Sequence, residues 1–489
     1  MASKMLTKTK YLNGLQCLKY LWILFNEPER VPGVDARTQY VFDQGHVVGE
    51  LAKELFAGGV NIPQAGFMEN LRLTREYLKR RVPVFEAGVR AENIYARADI
   101  LRPSGNYGWD ILEVKSSASV KDVNLEDMAF QRYVYQLAGL EIDGSYVVYI
   151  NNGYVKNGQI NPAELFTVQD ITEEERLASV GIQERIEKTV AAATQPQCPE
   201  TSIGAHCKNP YECPITECWA GLPEDNVFTL YRGGKKSAEL YENGVASIAG
   251  IPESYALNPK QEIQRACAVS GQPFIEKGAI SEFLAGLKYP LYYLDFETFA
   301  TAVPIFDGTR PFQNIPFQFS LHVQSAHGSG AWHFSFLADG EHDFRGELLS
   351  VLHNELGDSG TIVAYNASFE KKVIEELGQA FPDYAAWSEA VNRRFTDLMV
   401  PFRNFDYYSP DQKGSASMKN VLPAVTGKSY KGMEIARGDD ASIAFLGCNF
   451  GQMPEDERRE IRQNLLDYCG LDTEGMVWIV EKLREVAGN

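Results

Sequence analysis

The sequence of 489 residues lacks any long apolar run free of charge, although 44% of its residues are hydrophobic. A membrane-spanning helix needs about 20 consecutive apolar residues, so this lack argues against a helical membrane protein. The first residues, MASKMLTKTKYLNGLQCLKYLWI, also lack an apolar signal-peptide core that ends in small residues. We therefore expect mature sequence without membrane association, located in the cytoplasm by default.

Positive charge is scarce as well. The chain has 47 Lys and Arg residues against 65 Asp and Glu residues, which gives a formal net charge of −18. Nonspecific binding of nucleic acid relies on Lys and Arg, so this balance argues against a protein that coats nucleic acid by bulk electrostatics. A nuclease remains compatible with it, because bound divalent ions offset the negative charge of carboxylate-rich metal sites.

Internal repeats and low-complexity tracts are absent, and the remaining patterns divide the chain into three parts. Residues 1–222 combine helical and strand patterns and end in a cysteine-rich piece. Residues 223–288 carry short helical patterns broken by Gly and Pro, and residues 289–489 form another series of strand and helix patterns. We predict an α/β protein with two α/β domains, joined by a small helical connector.

Cysteines are few, and five of the eight stand outside ordinary core contexts, at positions 17, 198, 207, 213 and 218. In a chain of this size such a set is typical of metal ligands rather than of a secreted disulfide framework. A thiolate set of this kind can hold zinc or an iron-sulphur cluster. The other three, Cys267, Cys448 and Cys469, are predicted to be core residues.

Four acids in the last third of the chain suggest a metal site. In LYYLDFETF, Asp295 and Glu297 are two residues apart on a strand pattern and therefore share one face. Glu370 follows a later strand pattern, and Asp472 lies on a terminal helical pattern. Together these acids can hold two divalent cations, Mg²⁺ or Mn²⁺, for phosphodiester hydrolysis. A half-buried strand with one solvated face fits the first pair equally well.

The motifs DFE, NASFE and YCGLD resemble, in this order, those of the DEDD exonuclease superfamily, which has the ribonuclease H-like fold. The superfamily usually has Asp where this chain has Glu370. The resemblance implies a ribonuclease H-like domain over residues 289–489, with Tyr468 orienting the attacking water. It implies metal binding by Asp295, Glu297, Glu370 and Asp472, the first two of them catalytic.

A second constellation lies in the first part of the chain. Asp99 ends one strand pattern, and Glu113 and Lys115 are two apart on the next, so that they face the same way. The acids can ligate a divalent metal, while the lysine can act on water or on charge at the phosphate. A surface hairpin with an ordinary Glu–Lys pair fits this stretch when it is taken alone. Further candidates on neighbouring helical patterns are His46, Gln131 and Tyr135.

These residues, in order, resemble the motifs of PD-(D/E)XK nucleases of the RecB-like branch, especially CRISPR-associated and AddB-type exonucleases that carry an iron-sulphur cluster. The resemblance implies a restriction-endonuclease-like fold over residues 1–222. It implies metal binding by His46, Asp99 and Glu113, and catalytic roles for Asp99, Glu113, Lys115, Gln131 and Tyr135.

One cysteine before the nuclease core and three after it also match that branch. The resemblance implies a [4Fe-4S] cluster, with Cys198 as a competing ligand. The split of one early and three late cysteines favours the cluster over zinc, since the cluster would tie the two ends of the domain together. The implied ligands are Cys17, Cys207, Cys213 and Cys218.

The whole chain resembles a family of bacterial proteins, catalogued mainly by a C-terminal domain, that join these two kinds of nuclease. We expect a metal-dependent nuclease with two candidate active sites, which hydrolyses the phosphodiester bonds of DNA or RNA as an exonuclease. DNA is favoured over RNA as the nucleic acid that it binds. The main alternative is a nucleic-acid-binding or scaffolding protein in which one or both sites are inactive. A phosphohydrolase for short oligonucleotides or nucleotides is a third hypothesis. The sequence does not identify a protein partner.

Overall fold

The computed structural model describes residues 5–63 and 66–488. By its contacts the chain divides into two compact units: Met1–Gly221 with Thr301–Phe312, and Leu222–Ala300 with Gln313–Asn489. Both units combine helices with a sheet, which confirms the predicted α/β class with two such units. Residues 223–288 are mainly helical and group with the second unit. No helix within the described ranges is long and apolar enough to cross a membrane.

The first unit is built on a seven-stranded sheet. Its strands are β1 (Leu6–Thr7), β2 (Val60–Asn61), β3 (Val84–Ala91), β4 (Ile94–Ser104), β5 (Gly108–Lys115), β6 (Ile142–Ile150) and β7 (Phe166–Asp170). Its helices are α1 (Lys8–Gln16), α2 (Leu18–Asn26), α3 (Ala36–Lys53), α4 (Phe67–Leu78), α5 (Asp122–Leu137), α6 (Pro162–Leu165), α7 (Thr172–Ala178) and α8 (Ile182–Thr194).

The strand order is β2-β3-β4-β5-β6-β7, and β1 pairs with β4. Strands β3, β4 and β5 are antiparallel neighbours, whereas β5 and β6 are parallel. Parallel neighbours need a crossover, and α5 provides it. Apolar residues cover both faces of the sheet, with Phe130 of α5 in one core and Val48 of α3 in the other. Strand β5 is therefore central, and polar side chains near its end lie in partly buried surroundings.

Residues 301–312 pack into the second of these cores, although they are far along the sequence from the other residues of the unit. Ala302 and Val303 pack against the apolar side chains there. The backbone of Lys156 donates to the carbonyl of Thr309 at 3.0 Å, and the amide of Gly308 donates to the carbonyl of Lys156 at 2.8 Å. Apolar packing and backbone hydrogen bonds thus anchor this loop in the first unit.

The second unit contains a five-stranded sheet and a two-stranded one. Its strands are β8 (Phe274–Ile275), β9 (Leu291–Phe299), β10 (Ile315–Gln324), β11 (Ala331–Leu337), β12 (Thr361–Ala364), β13 (Phe395–Asp397) and β14 (Tyr407–Tyr408). Its helices are α9 (Lys235–Glu242), α10 (Pro259–Ser270), α11 (Lys277–Ala285), α12 (Arg345–Glu355), α13 (Ser368–Ala380), α14 (Ala385–Asn392), α15 (Val400–Asn404), α16 (Met418–Thr426), α17 (Gly438–Phe450) and α18 (Glu455–Ala487).

The larger sheet has the order β11-β10-β9-β12-β13. Strands β9, β10 and β11 are antiparallel, and β12 runs parallel to both β9 and β13. Leu294 and Phe296 of β9 lie in the apolar core that α12 and α13 complete. Because side chains alternate along a strand, Asp295 and Glu297 point to the opposite face, on the side of Cys469 of α18.

Candidate active sites

The structure brings the four predicted acids of the second unit together. Asp295 and Glu297 lie on β9, Glu370 lies in the first turn of α13, and Asp472 lies on α18. Burial raises the pKa of Asp295 well above its usual value, and the negative charges of Asp472, Glu297 and Glu370 raise it further. Three separate elements therefore deliver carboxyl groups to one place.

All four carboxyl groups have a raised pKa, and burial is the main cause. The pKa of Asp472 is about 6 and that of Glu370 about 8. Glu370 is only 2% exposed, and its Oε2 has no hydrogen-bond partner among the described residues. A buried carboxylate left without a partner is costly, so this cluster is poorly satisfied by protein groups alone and is suited to cations.

Two phenols and one lysine adjoin the acids. The hydroxyl of Tyr430 donates to Oδ1 of Asp472, and the ring of Tyr468 lies 5.9 Å from that of Tyr430. Burial and the charge of Asp472 raise the pKa of both phenols far above their usual value, so they act as neutral donors. The charge of Lys419 opposes the effect of burial on the pKa of Glu297 and Asp472.

Cys469 belongs to this cluster too. The sequence predicts a core residue, and the residue is indeed buried. Its Sγ lies 3.6 Å from Oδ2 of Asp295, and donor atoms of Cys469, Asp295 and Glu297 lie within 4.8 Å of one another. Cys469 is three residues before Asp472 on a helix and therefore shares its face, which is the sequence signal that would have placed it here.

In the first unit, Glu113 is the centre of a second polar cluster. It is 3% exposed, and its Oε1 lies 2.9 Å from Nζ of Lys115. Gln131 donates through Nε2 to Oε2 of Glu113 at 2.8 Å. The backbone amide of Val114 donates to Oδ2 of Asp99 at 2.8 Å, which fixes that carboxylate beside the strand. Strands β4 and β5 and helix α5 thus bring together four of the predicted residues.

Two residues of this cluster are missing from the sequence-based prediction. Nζ of Lys8 contacts Oε1 of Glu113. Asp127 accepts from Nζ of Lys115 at 2.9 Å and from Nε2 of Gln131 at 3.0 Å. Asp127 is four residues before Gln131 on α5, so helical spacing would have revealed it. Lys8 is 105 residues from Glu113 and carries no such signal.

The two acids of this cluster have opposite pKa shifts. Burial, together with the charge of Glu113, raises the pKa of Asp99 to about 7. Burial alone would also raise the pKa of Glu113, but the charges of Lys115 and Lys8 and hydrogen bonds from Lys8 and Gln131 lower it well below its usual value. The surroundings thus push the pKa values of the two acids apart, a pattern common in active sites.

A cavity of about 290 Å³ opens beside this cluster. His46 of α3, Asp99 and Glu113 all line it, as do charged residues such as Arg97. Tyr135 has a different environment: it is fully buried, and its hydroxyl accepts from the amide of Ala98 at 3.0 Å and donates to a backbone carbonyl of β3. The structure therefore brings His46 to the cavity and places the hydroxyl of Tyr135 between two strands.

The four cysteines implied as cluster ligands line one small cavity, and all of them are free thiols. Cys198 packs beside Trp22 and Ile215, and its Sγ faces the carbonyl of Pro199 at 3.8 Å. No three cysteines of the described ranges have sulphur atoms within 4.8 Å of one another. Both zinc and an iron-sulphur cluster take thiolate ligands of this kind, so the residues present fit a thiolate-bound metal centre.

The match to a family model lies mainly in the second unit. Residues 292–417 match the family described as Domain of unknown function (DUF2779). This range includes three of the four acids of the second site. The fourth, Asp472, lies beyond it.

Two curated relatives match, both from mycoplasmas. Uncharacterized protein MG366 homolog of Mycoplasma pneumoniae is 27% identical over 212 residues, and Uncharacterized protein MG366 of Mycoplasma genitalium is 26% identical over 213 residues. Each match covers 40% of this chain and 32% of the relative, so the chain spans about a third of their length. A solved structure, "Crystal structure of SSO0001", matches 41% of this chain and 89% of its own at 12% identity, with a TM-score of 0.21.

Proposed function

We propose that the chain is a metal-dependent nuclease that hydrolyses phosphodiester bonds at two active sites, one in each unit. The observation that carries the proposal is the cluster of Asp295, Glu297, Glu370 and Asp472, in which Glu297 and Glu370 are buried and an oxygen of Glu370 has no hydrogen-bond partner among the described residues. Four neighbouring carboxylates in a largely buried place repel one another when ionised unless cations separate them. A pair of divalent ions is the usual solution, and phosphoryl transfer is its usual chemistry.

In the second unit, the four carboxylates would hold Mg²⁺ or Mn²⁺, which supplies a polarised water and stabilises charge on the phosphate. Tyr468 keeps its proton because burial and the charge of Asp472 raise its pKa, so its hydroxyl orients the attacking water by donating or accepting a hydrogen bond. Tyr430 fixes Asp472 through a hydrogen bond. Lys419 contributes positive charge where an anionic substrate would approach.

In the first unit, Asp99, Glu113 and His46 line the cavity and would hold the divalent ion. Lys115 is the residue that orients water and stabilises charge on the phosphate. Asp127 and Gln131 fix the positions of Lys115 and Glu113 by hydrogen bonds. The Oε1 of Gln131 is buried without a hydrogen-bond partner among the described residues and is available to a bound water.

Product analysis tests the proposal directly. The purified full chain is incubated with end-labelled single- and double-stranded DNA and RNA in Mn²⁺ or Mg²⁺. We expect progressive shortening of at least one DNA substrate and no reaction with EDTA. Binding of nucleic acid without cleavage of any substrate would favour the binding or scaffolding alternative, and cleavage of short oligonucleotides only would favour the phosphohydrolase alternative.

The cysteine set is part of the proposal as a [4Fe-4S] site. Protein purified without oxygen is expected to contain iron and sulphide, and Cys207→Ser should lose most of both, because Cys207 lines the cavity with the other ligands. Cys267→Ser is the matched control, since Cys267 is also buried and packs elsewhere, against Phe405. One zinc per chain without iron, or a cluster fully retained in Cys207→Ser, would contradict the assignment.

The raised pKa values predict how pH and metal affect stability. A carboxyl group whose pKa is raised by folding stabilises the protein at low pH, and this contribution is lost as pH rises through the folded-state pKa. For Asp472 the loss runs from its usual pKa of 3.8 up to about pH 6, and for Glu370 from its usual pKa of 4.5 up to about pH 8, so Glu370 accounts for the change between pH 6 and pH 8. Divalent cations bind the deprotonated carboxylates and offset the loss.

The rise in melting temperature on adding Mn²⁺ is therefore expected to be larger at pH 8 than at pH 6. Thermal unfolding of the full chain in Mn²⁺ and in EDTA measures it. The Asp472→Asn variant is the control, because it removes one of the titrating groups and a ligand together, and its Mn²⁺ effect should be smaller at pH 8. An equal rise at both pH values in the wild-type chain would refute the expectation.

A further inference from the structure

A second lysine reaches the cluster of the first unit from the start of the described chain. Lys8 is the first residue of α1, and its Nζ contacts Oε1 of Glu113. Lys115 contacts the same oxygen at 2.9 Å. Two ammonium groups thus converge on one buried carboxylate oxygen that the proposed function assigns to a metal ion.

The backbone of Lys8 is held firmly. Thr7 precedes it on β1, which pairs with β4, and the hydroxyl of Thr7 caps α1. Further along the helix, Tyr11 stacks on Phe130 of α5 with ring centroids 4.8 Å apart. A Cβ on Gly14 would lie 2.6 Å from a methyl group of Thr189, so the helix packs closely there. Only the side chain of Lys8 is free to change its contact.

The charges of the cluster show what Lys8 adds. Asp99, Glu113 and Asp127 carry three negative charges when ionised, as metal binding requires of the ligands, and Lys8 and Lys115 carry two positive charges. A divalent ion makes the set positive by one, and one phosphodiester group then neutralises it. Without Lys8 the same set would be negative once a phosphodiester group is bound, and association would be disfavoured.

The contacts also distinguish the two lysines. Lys115 is bound by both Glu113 and Asp127, so it keeps a partner when a cation occupies Glu113. The charges of Asp127 and Glu113 both raise the pKa of Lys8, but its hydrogen bond within the described part of the chain goes to Glu113. A cation on Glu113 would displace the ammonium group of Lys8 and leave it beside the metal.

We propose that Lys8 is a second active-site lysine, which leaves Glu113 when a divalent ion binds there and then binds an oxygen of the substrate phosphate. The inference rests on the proposed nuclease site of the first unit. In this arrangement the anionic substrate binds after the metal ion, because Lys8 stays on Glu113 and neutralises it when no divalent ion is bound.

Lys8→Met tests the inference in the full chain with Asp295→Asn, which weakens the second site. Removal of the ammonium group of Lys8 beside Glu113 should tighten Mn²⁺ binding severalfold. The affinity for a DNA oligonucleotide in Ca²⁺, used to permit binding without hydrolysis, should fall at least about tenfold, as loss of a charge-assisted hydrogen bond implies. Lys8→Arg should restore part of this affinity. The matched control is Lys10→Met, since Lys10 lies on the same helix with Nζ 4.2 Å from the centroid of the Phe25 ring.

Opposite changes in metal and oligonucleotide affinity are the signature of the inference. A loss of both affinities together with a lower melting temperature would mean a structural role for Lys8 and overturn it, as would unchanged affinities. If no variant hydrolyses any substrate but the opposite changes occur, the inference stands as a binding site and the proposed function fails. If the chain hydrolyses DNA and Lys8→Met behaves like Lys10→Met, the proposed function stands and the inference fails.

Discussion

Asp295→Asn is expected to abolish hydrolysis by the second unit while leaving its fold intact. Ligand atoms of Asp295, Glu297 and Cys469 lie within 4.8 Å of one another, and the charges of the three other acids all raise the pKa of Asp295. An amide is a poor ligand for a hard cation, and it relieves the repulsion within the cluster. The rate should fall by more than about a hundredfold, because mutation of residues that only hydrogen-bond to a metal ligand already lowers activity by up to about a hundredfold.

The assay needs a background in which the first unit is silent, for which Lys115→Ala serves. Single-turnover hydrolysis of labelled DNA in Mn²⁺ gives the rate, and the melting temperature in EDTA reports the fold. Asp358→Asn makes the same chemical change at an exposed position and should have no effect. Equal rates for Asp295→Asn and Asp358→Asn would mean that these acids are not the active site.

Glu370 offers a milder change at the same cluster. The superfamily that the motifs resemble usually has Asp here, and Glu370 enters from the first turn of α13. Shortening the side chain by one methylene should be tolerated if the extra length is a variation on the pattern. Glu370→Asp is therefore expected to keep hydrolysis within a few fold of the parent chain, in contrast to Asp295→Asn.

Local periodicity was sufficient to predict the elements that carry these acids. Alternation in LYYLDFETF places Leu294 and Phe296 in the core and Asp295 and Glu297 on the other face, and the structure confirms this division. The spacing of four between Tyr468 and Asp472 places both on one side of a helix, and α18 includes them. In each case the relevant information lies within a few neighbouring residues.

Contacts between distant segments could not be predicted in this way. Tyr430 is 42 residues from Asp472, in a segment without regular periodicity, and only the folded chain brings its hydroxyl to that carboxylate. Lys8 reaches Glu113 because α1 packs against α5, through rings such as Tyr11. A strand or helix pattern specifies which face a side chain occupies, but not which remote residue will lie opposite.

The loop at 301–312 illustrates the same limit for domain organisation. It follows β9 directly and lies within the range 289–489, yet its contacts group it with the first unit. Ala302 and Val303 are the apolar residues that pack into that core. The sequence does not indicate which core these two small apolar residues join, because burial in either core would remove the same apolar surface from water.

Lys115→Ala, made in the Asp295→Asn chain, is expected to lower turnover by the first unit at least about a hundredfold, as loss of a positioned acid-base or electrostatic group does. Glu113 and Asp127 hold the ammonium group within the cluster, at 2.9 Å from each. Its proposed action on the attacking water or on charge developing at the phosphate belongs to the transition state. Affinity for DNA should therefore change little.

Rates under single-turnover conditions and oligonucleotide affinity in Ca²⁺ separate turnover from binding for this variant. Lys79→Ala is the matched control, since Lys79 is exposed at the end of α4. If the Asp295→Asn chain has no activity on any labelled substrate, the first site is inactive alone, and the binding alternative gains for this unit. If activity remains and Lys115→Ala leaves it unchanged, the assignment of Glu113 and Lys115 as a nuclease motif is wrong, because a lysine bound to two carboxylates in the active site has to affect the charge that the phosphate meets.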